Sequence, residues 1–166
     1  MAASKSKSIN NEPVAKLDLN RYLGSWYEIA RYDHSFERGM TNTTAMYSIR
    51  PDGKIKVLNS GWQNGEYKES VGKAFRPDEN VPALLRVSFF GPFYSDYRVL
   101  MLSSDYQVAL VGSKNAKYLW ILSRTPQLSD SVCMQVIDEA RRRGYDTEKL
   151  IWVDQKVNIA GFEADE

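Results

Sequence analysis

One cysteine and one histidine stand in 166 residues, and that scarcity removes most metal and thiol chemistry. A lone Cys closes no internal disulfide, and neither a cysteine-rich zinc site nor a histidine cluster has the ligands it needs. An excess of one charge is also missing. Lys and Arg number 22 against 21 Asp and Glu, a formal net charge of +1, so no global field gathers nucleic acid. The one dense basic run, Arg141-Arg142-Arg143, reads as a helix end offsetting its own dipole. No run approaches the ~18 apolar residues of a membrane span. Residues 1–16, rich in Ser, Lys, Asn and Ala, carry no apolar signal-peptide core and read as a disordered tail. Two histories fit that tail: a cytosolic protein, or an exported one whose signal was removed and Met1 added.

What is present is β structure. Branched and aromatic runs between turn signals mark about eight strands, near 25–32, 43–50, 54–62, 67–75, 84–90, 95–102, 106–113 and 117–124. Arg50-Pro51-Asp52-Gly53-Lys54, Asn64-Gly65 and Gly91-Pro92 are tight-turn chemistry, so successive strands form hairpins in an up-and-down meander. The longest early connection, Asp33 to Thr41 with His34, Phe36 and Gly39, is long enough to lie over an opening as a lid. After Pro126 the period changes. Val132, Cys133, Val136, Ile137 and Ala140 recur at helical spacing, with Ser129 as N-cap and Gly144 as stop, predicting one helix over about 129–143. Leu150–Val153 reads as a short last strand and 155–166 as a flexible tail. The expected fold is all-β: one domain over 17–154, an eight-stranded antiparallel up-and-down β-barrel with one C-terminal flanking α-helix.

Side chains alternate along a strand, so Trp26 and Arg124, near the ends of the first and last barrel strands, meet only if the sheet closes. Guanidinium on indole is a favourable contact and would seal one end. If Trp26 faces inward, Glu28, Ala30 and Tyr32 do too, and with Arg124 go Leu122, Trp120 and Tyr118. Ile55, Val57, Asn59 and Gly61 line the same space opposite Ser70, Gly72 and Ala74, small residues that leave room for a guest. Glu28 stands out, because a carboxylate in an apolar lumen needs a partner, a proton or water. Asn59 and Tyr97 are the expected partners, and a polar anchor for a ligand or a structural hydrogen bond are its two readings. Tyr47, Tyr97 and Tyr106 offer hydroxyls to a headgroup, while Arg76 and Arg86 read as surface charges. Phe36, Phe89, Phe90, Phe93 and Tyr94 concentrate near the lid as mouth, dimer patch or core.

Gly24-Ser25-Trp26, Ser95-Asp96-Tyr97 in a middle strand and Arg124 after the last barrel strand resemble the three motifs of the lipocalin (calycin) family. The Ser stands where the family has Thr and keeps the hydroxyl. Residues 21–31, Phe36-Glu37-Arg38-Gly39, Val87–Tyr94 and Tyr118–Pro126 look like the family's bacterial outer-membrane branch, lipoprotein relatives of apolipoprotein D. The likeness runs from about Leu17 to Val153.

The resemblance implies an apolar guest, a fatty acid or lysophospholipid, held without catalysis, cofactor or metal for lipid carriage or maintenance in the cell envelope. It also implies a homodimer and peripheral or lipid-anchored membrane association. Lipidated relatives carry a leader and a modified Cys, and no Cys precedes Cys133. The expected ligand contacts are Glu28, Ala30, Tyr47, Val57, Asn59, Phe89, Tyr97 and Trp120; Gly24, Trp26 and Arg124 are expected to close the barrel. A lipocalin-type enzyme is the alternative, but Cys133 falls on the helix, outside the lumen, and His34 has no positioned serine. Carriage of a tetrapyrrole or other pigment is a third reading.

Overall fold

Short turns leave successive strands no choice but antiparallel neighbours. In the computed structural model, which describes residues 8–164, a short helix α1 (Leu19–Tyr22) leads into β1 (Gly24–Tyr32), β2 (Thr41–Ile49), β3 (Ile55–Gln63) and β4 (Glu66–Phe75). There follow β5 (Leu84–Phe90), β6 (Phe93–Leu102), β7 (Val108–Gly112) and β8 (Leu119–Ser123). Each pairs with the next, and β1 pairs with both β8 and β2, so the eight strands close on themselves. After β8 come α2 (Asp130–Arg142), β9 (Leu150–Trp152) and α3 (Lys156–Ala164).

Closure is uneven. β3 and β4 pair over their whole lengths, Ile55 against Ala74 through Gln63 against Glu66. β4 and β5 pair only at Lys73–Ser88, Ala74–Val87 and Phe75–Arg86. β2 leaves β1 beyond Tyr27, and β9 takes over that edge from Ala30 to Tyr32.

Two apolar cores result. One fills the barrel, around Trp26, Tyr47, Ile55, Val57, Leu85, Val99 and Leu122. The other lies outside it, where Val136 and Ala140 of α2 meet Leu110, Leu119 and Ile121. Ser129 caps α2, its Oγ accepting from Val132 N at 3.3 Å.

A bulge in β1 corrects one expectation. Glu28 stands opposite Leu122, yet Ala30, not Ile29, stands opposite Ile121. The extra residue exchanges the two faces beyond it. Ala30 and Tyr32 therefore lie in the outer core and not in the lumen, with Tyr32 Oη donating to Asp146 O at 2.9 Å. Arg31 takes the inward place, opposite Trp120.

Both tails are also corrected. Residues 8–16 are tied down rather than loose: Asn10 N donates to Arg143 O at 2.7 Å and Val14 N to Val99 O at 2.9 Å. Arg143 Nη1 returns bonds to Asn10 O and Glu12 O, each at 2.9 Å, a job more specific than offsetting a dipole. Residues 1–7 of the expected disordered tail and 165–166 lie outside the described residues. At the other end Gln155, 4% exposed, donates from Nε2 to Glu28 O at 2.8 Å and Thr43 O at 2.9 Å. Those carbonyls are left without a ladder partner where β1 and β2 part, and buried carbonyls require one. The chain then continues as α3, on which Val157 N donates to Asn42 Oδ1.

Candidate functional site

The floor is built first. The Arg124 guanidinium lies 3.8 Å from the Trp26 ring centroid. It also donates to Tyr106 O (3.1 Å), Ser25 O (2.9 Å), Arg21 O (2.8 Å) and Tyr22 O (3.1 Å), while Trp26 Nε1 donates to Tyr22 O at 2.9 Å. One cation thus stitches α1, β1 and the β6–β7 turn together. Gly24 permits this approach: its φ is +101°, and a Cβ there would sit 3.3 Å from Arg124 Nη1.

Above the floor, three phenols share their hydroxyls. Tyr97 Oη lies 2.6 Å from Tyr22 Oη and 2.9 Å from Tyr47 Oη. Burial raises all three pKa values well above that of a free phenol, so they stay neutral. Around them runs an apolar hollow lined by Leu19, Leu23, Ile55, Val57, Ala74, Leu85 and Val87. The hollow is close to filled, with a cavity volume of only about 10 Å³. That is space for roughly one water.

The expected free room higher in the lumen is taken up. A Cβ on Gly72 would lie 2.7 Å from the Phe89 ring, and one on Gly61 2.8 Å from Thr43 Cγ2 and 2.9 Å from Met40 Cε. Small residues on β3 and β4 are matched by large neighbours reaching across.

A charged plug closes the upper lumen. Arg31, with a side chain only 3% exposed, donates from Nη1 to Glu28 Oε1 at 3.1 Å. Its Nη2 donates to two loop carbonyls, Glu37 O at 2.8 Å and Met40 O at 3.1 Å. Glu37, from the loop 33–40, reaches down so that its Oε1 accepts from His34 Nε2 at 2.6 Å and Trp120 Nε1 at 3.0 Å. The Trp120 indole stacks on Tyr118, rings 5.6 Å apart and 1° from parallel.

The two carboxyls are shifted in opposite directions. Burial, then the negative Glu37 beside it, pushes the Glu28 pKa well up despite Arg31. Burial also works to raise that of Glu37, but hydrogen bonds from His34, from protonated Glu28 and from Trp120 outweigh it and bring it down to about 2. The two shifts thus take Glu28 toward the neutral acid and Glu37 toward the anion. Four buried polar atoms lack a partner among the described residues, and three belong to this upper region: Arg31 Nε, His34 Nδ1 and Thr43 Oγ1.

Of the expected ligand contacts, Tyr47, Val57 and Tyr97 line the lower hollow, Glu28 and Trp120 belong to the plug, and Phe89 packs against the inner core. Asn59 is half-buried, facing Ser70 across β3 and β4. Ala30 is excluded by the bulge. The partners of Glu28 are Arg31 and Glu37, not Asn59 or Tyr97. Tyr106 lies at the floor, its hydroxyl accepting from Asp18 N. Arg76 is bound to Pro82 O, and Arg86 and Arg98 flank Asp96. Arg31 and Glu37 escaped the sequence reading because a bulge leaves no mark in alternation and a loop residue gives no sign of which way it folds.

Among solved structures, insecticyanin from the tobacco hornworm Manduca sexta superposes with a TM-score of 0.73 at 22% identity, covering 90% of this chain and 86% of that one. The outer membrane lipoprotein Blc of Escherichia coli is 49% identical over 144 residues, 86% of this chain and 81% of the relative. Mouse apolipoprotein D is 34% identical over 147 residues, 83% and 77% of the two chains. A family model described as a lipocalin-like domain matches residues 17–155. A barrel closed between β8 and β1, floored by an indole under a guanidinium and flanked by one helix, carries the same three motifs that this match spans, and the chain belongs to the lipocalin family.

Proposed function

We propose that this protein binds one single-chain lipid, a fatty acid or lysophospholipid, in its barrel and carries it in the cell envelope without chemical change. The observation that carries this reading is the apolar hollow above a sealed floor, closed on its upper side by a loop rather than by the sheet. Each methylene taken from water contributes about 0.8 kcal/mol, so ten of them offset much of the freedom lost on association. With room for about one water, the hollow as it stands is far smaller than the roughly 300–1,000 Å³ usual for ligand pockets. A tail therefore enters only as Met40 and Glu37 withdraw and the lining side chains spread.

The rim suits a lipid surface. Phe36 is 65% and Phe90 63% exposed, their rings 6.1 Å apart, and Lys68, Lys114 and Lys117 stand exposed on loops and strand ends at the same end, where Arg38 is paired with Asp33 at 3.1 Å. Apolar rings set among cations favour peripheral contact with anionic bilayers. The relative named an outer membrane lipoprotein supports an envelope location. No helix among the described residues is long and apolar enough to cross a membrane.

Catalysis is not favoured. Cys133 lies on α2, where burial and then the charge of Asp130 raise its thiol pKa, and His34 is committed to Glu37. A tetrapyrrole is wider than an acyl tail and fits the narrow hollow less well. Calorimetric titration of the delipidated chain with decanoate and with lysophosphatidylcholine tests the proposal. Saturable one-to-one binding of either, with a negative heat-capacity change, is expected; absence of saturable binding by both overturns it.

A further inference from the structure

Glu37 is a carboxylate on a loop, inserted into the upper lumen beside buried Arg31 and Glu28, with indole and imidazole N–H groups aimed at it. The loop is fastened at the same place: the Arg31 Nη2 group holds the Glu37 and Met40 carbonyls. Nε, on the same edge of that guanidinium, is buried with no partner. If the loop lifts, Nη2 is released and the whole Nε–Nη2 edge stands free. That edge is a planar two-pronged donor, the shape that takes a carboxylate in two parallel bonds. Trp120 Nε1 loses Glu37 in the same movement and becomes a third donor.

We infer that Glu37 holds the place of a ligand's own carboxylate. This rests on the proposed lipid-carrier reading and narrows it to unesterified fatty acids. The acid displaces loop 33–40, its carboxylate bonding the free edge of Arg31 and Trp120 Nε1, and its tail runs down into the hollow above Trp26. Charge supports the exchange. One carboxylate, that of Glu37, leaves the plug with the loop and one, the ligand's, enters it, so the charge buried there is unchanged. The direction of the tail follows from the lining, which is apolar below the plug, while Lys68 and Ser70 stand exposed on the lumen side of β4 above it.

The test compares decanoate with decanol and methyl decanoate, which share the tail and lack the anion. At neutral pH decanoate is expected to bind about tenfold more tightly than either. Glu37→Gln, which weakens the resident competitor, tightens decanoate by a further several-fold and leaves decanol nearly unchanged. Trp120→Phe, which keeps the ring but removes the donor, weakens decanoate about fivefold with little effect on decanol. Lysophosphatidylcholine, whose phosphate is also anionic, is the second arm, and binding it more tightly than decanoate by the same residues overturns the assignment to a carboxylate. Equal affinity for acid, alcohol and ester, with the two substitutions shifting all alike, overturns the anion site while the carrier reading stands. Failure of all these ligands to bind any variant overturns the carrier reading itself.

Discussion

The two ends of the lumen are closed by opposite means. At the floor a cation sits on an indole and every guanidinium nitrogen has a carbonyl acceptor. At the plug a buried cation, two carboxyls and an imidazole are packed together with three polar atoms left over. A satisfied network rigidifies the structure around it, and the plug is satisfied only in part. On the proposed reading the floor is permanent structure and the plug is the door.

The sharpest way to break this contrast is to make the same change at both ends. Trp26→Ala removes a fully buried indole and is expected to cost about 3–5 kcal/mol in denaturant unfolding. Trp120→Ala, half-buried, is expected to cost about half of that. Equal losses would make the plug as structural as the floor. Next in size is Arg124→Lys, expected to lose about 2 kcal/mol, because an ammonium cannot reach four carbonyls and also stack.

A smaller effect comes from pH. Glu37 has a folded pKa near 2, below its ordinary 4.5, so it contributes stability above the ordinary value that is lost as pH falls toward 2. Glu28 has a raised folded pKa, so its contribution is full below the ordinary carboxylate value and is lost as pH rises through the folded one. The pair's joint contribution therefore peaks near pH 4.5. Melting curves should show Glu37→Gln flattening the acid arm and Glu28→Gln the alkaline one, while Arg124→Lys changes neither. The smallest effect belongs to Cys133→Ala on α2, expected within about 0.5 kcal/mol and without influence on lipid binding.

The same contrast explains what could be read from residues alone. Trp26 and Arg124 are legible because they stand near the ends of regular strands and guanidinium attracts indole, whereas Gly24 is marked only by the resemblance of Gly24-Ser25-Trp26 to a family motif. Alternation also puts Ile55 and Val57 on the lumen face with Gly72 and Ala74, while the register, Val57 against Gly72 and Ile55 against Ala74, is given by the structure. The plug was not legible. Ala30 was assigned to the lumen because alternation carried past Ile29, where one inserted residue exchanges the faces and puts Arg31 inside. Glu37 sits in a loop, where no periodicity constrains direction. Gln155 was hidden by the polar sequence around it, although two carbonyls at the parting of β1 and β2 needed a donor. Gly61 and Gly72 face the lumen as alternation predicts, but the space beside them is not free, since Phe89, Thr43 and Met40 fill it from other strands and from the loop.

The door and the floor each carry an indole N–H, so one titration reads both. Two-dimensional ¹H–¹⁵N spectra of the full chain, followed as decanoate is added, should move the Trp120 indole resonance and the amides of loop 33–40 while the Trp26 indole, bonded to Tyr22 O, stays in place. Saturable binding with Trp120 and the loop unmoved would contradict an opening at the plug.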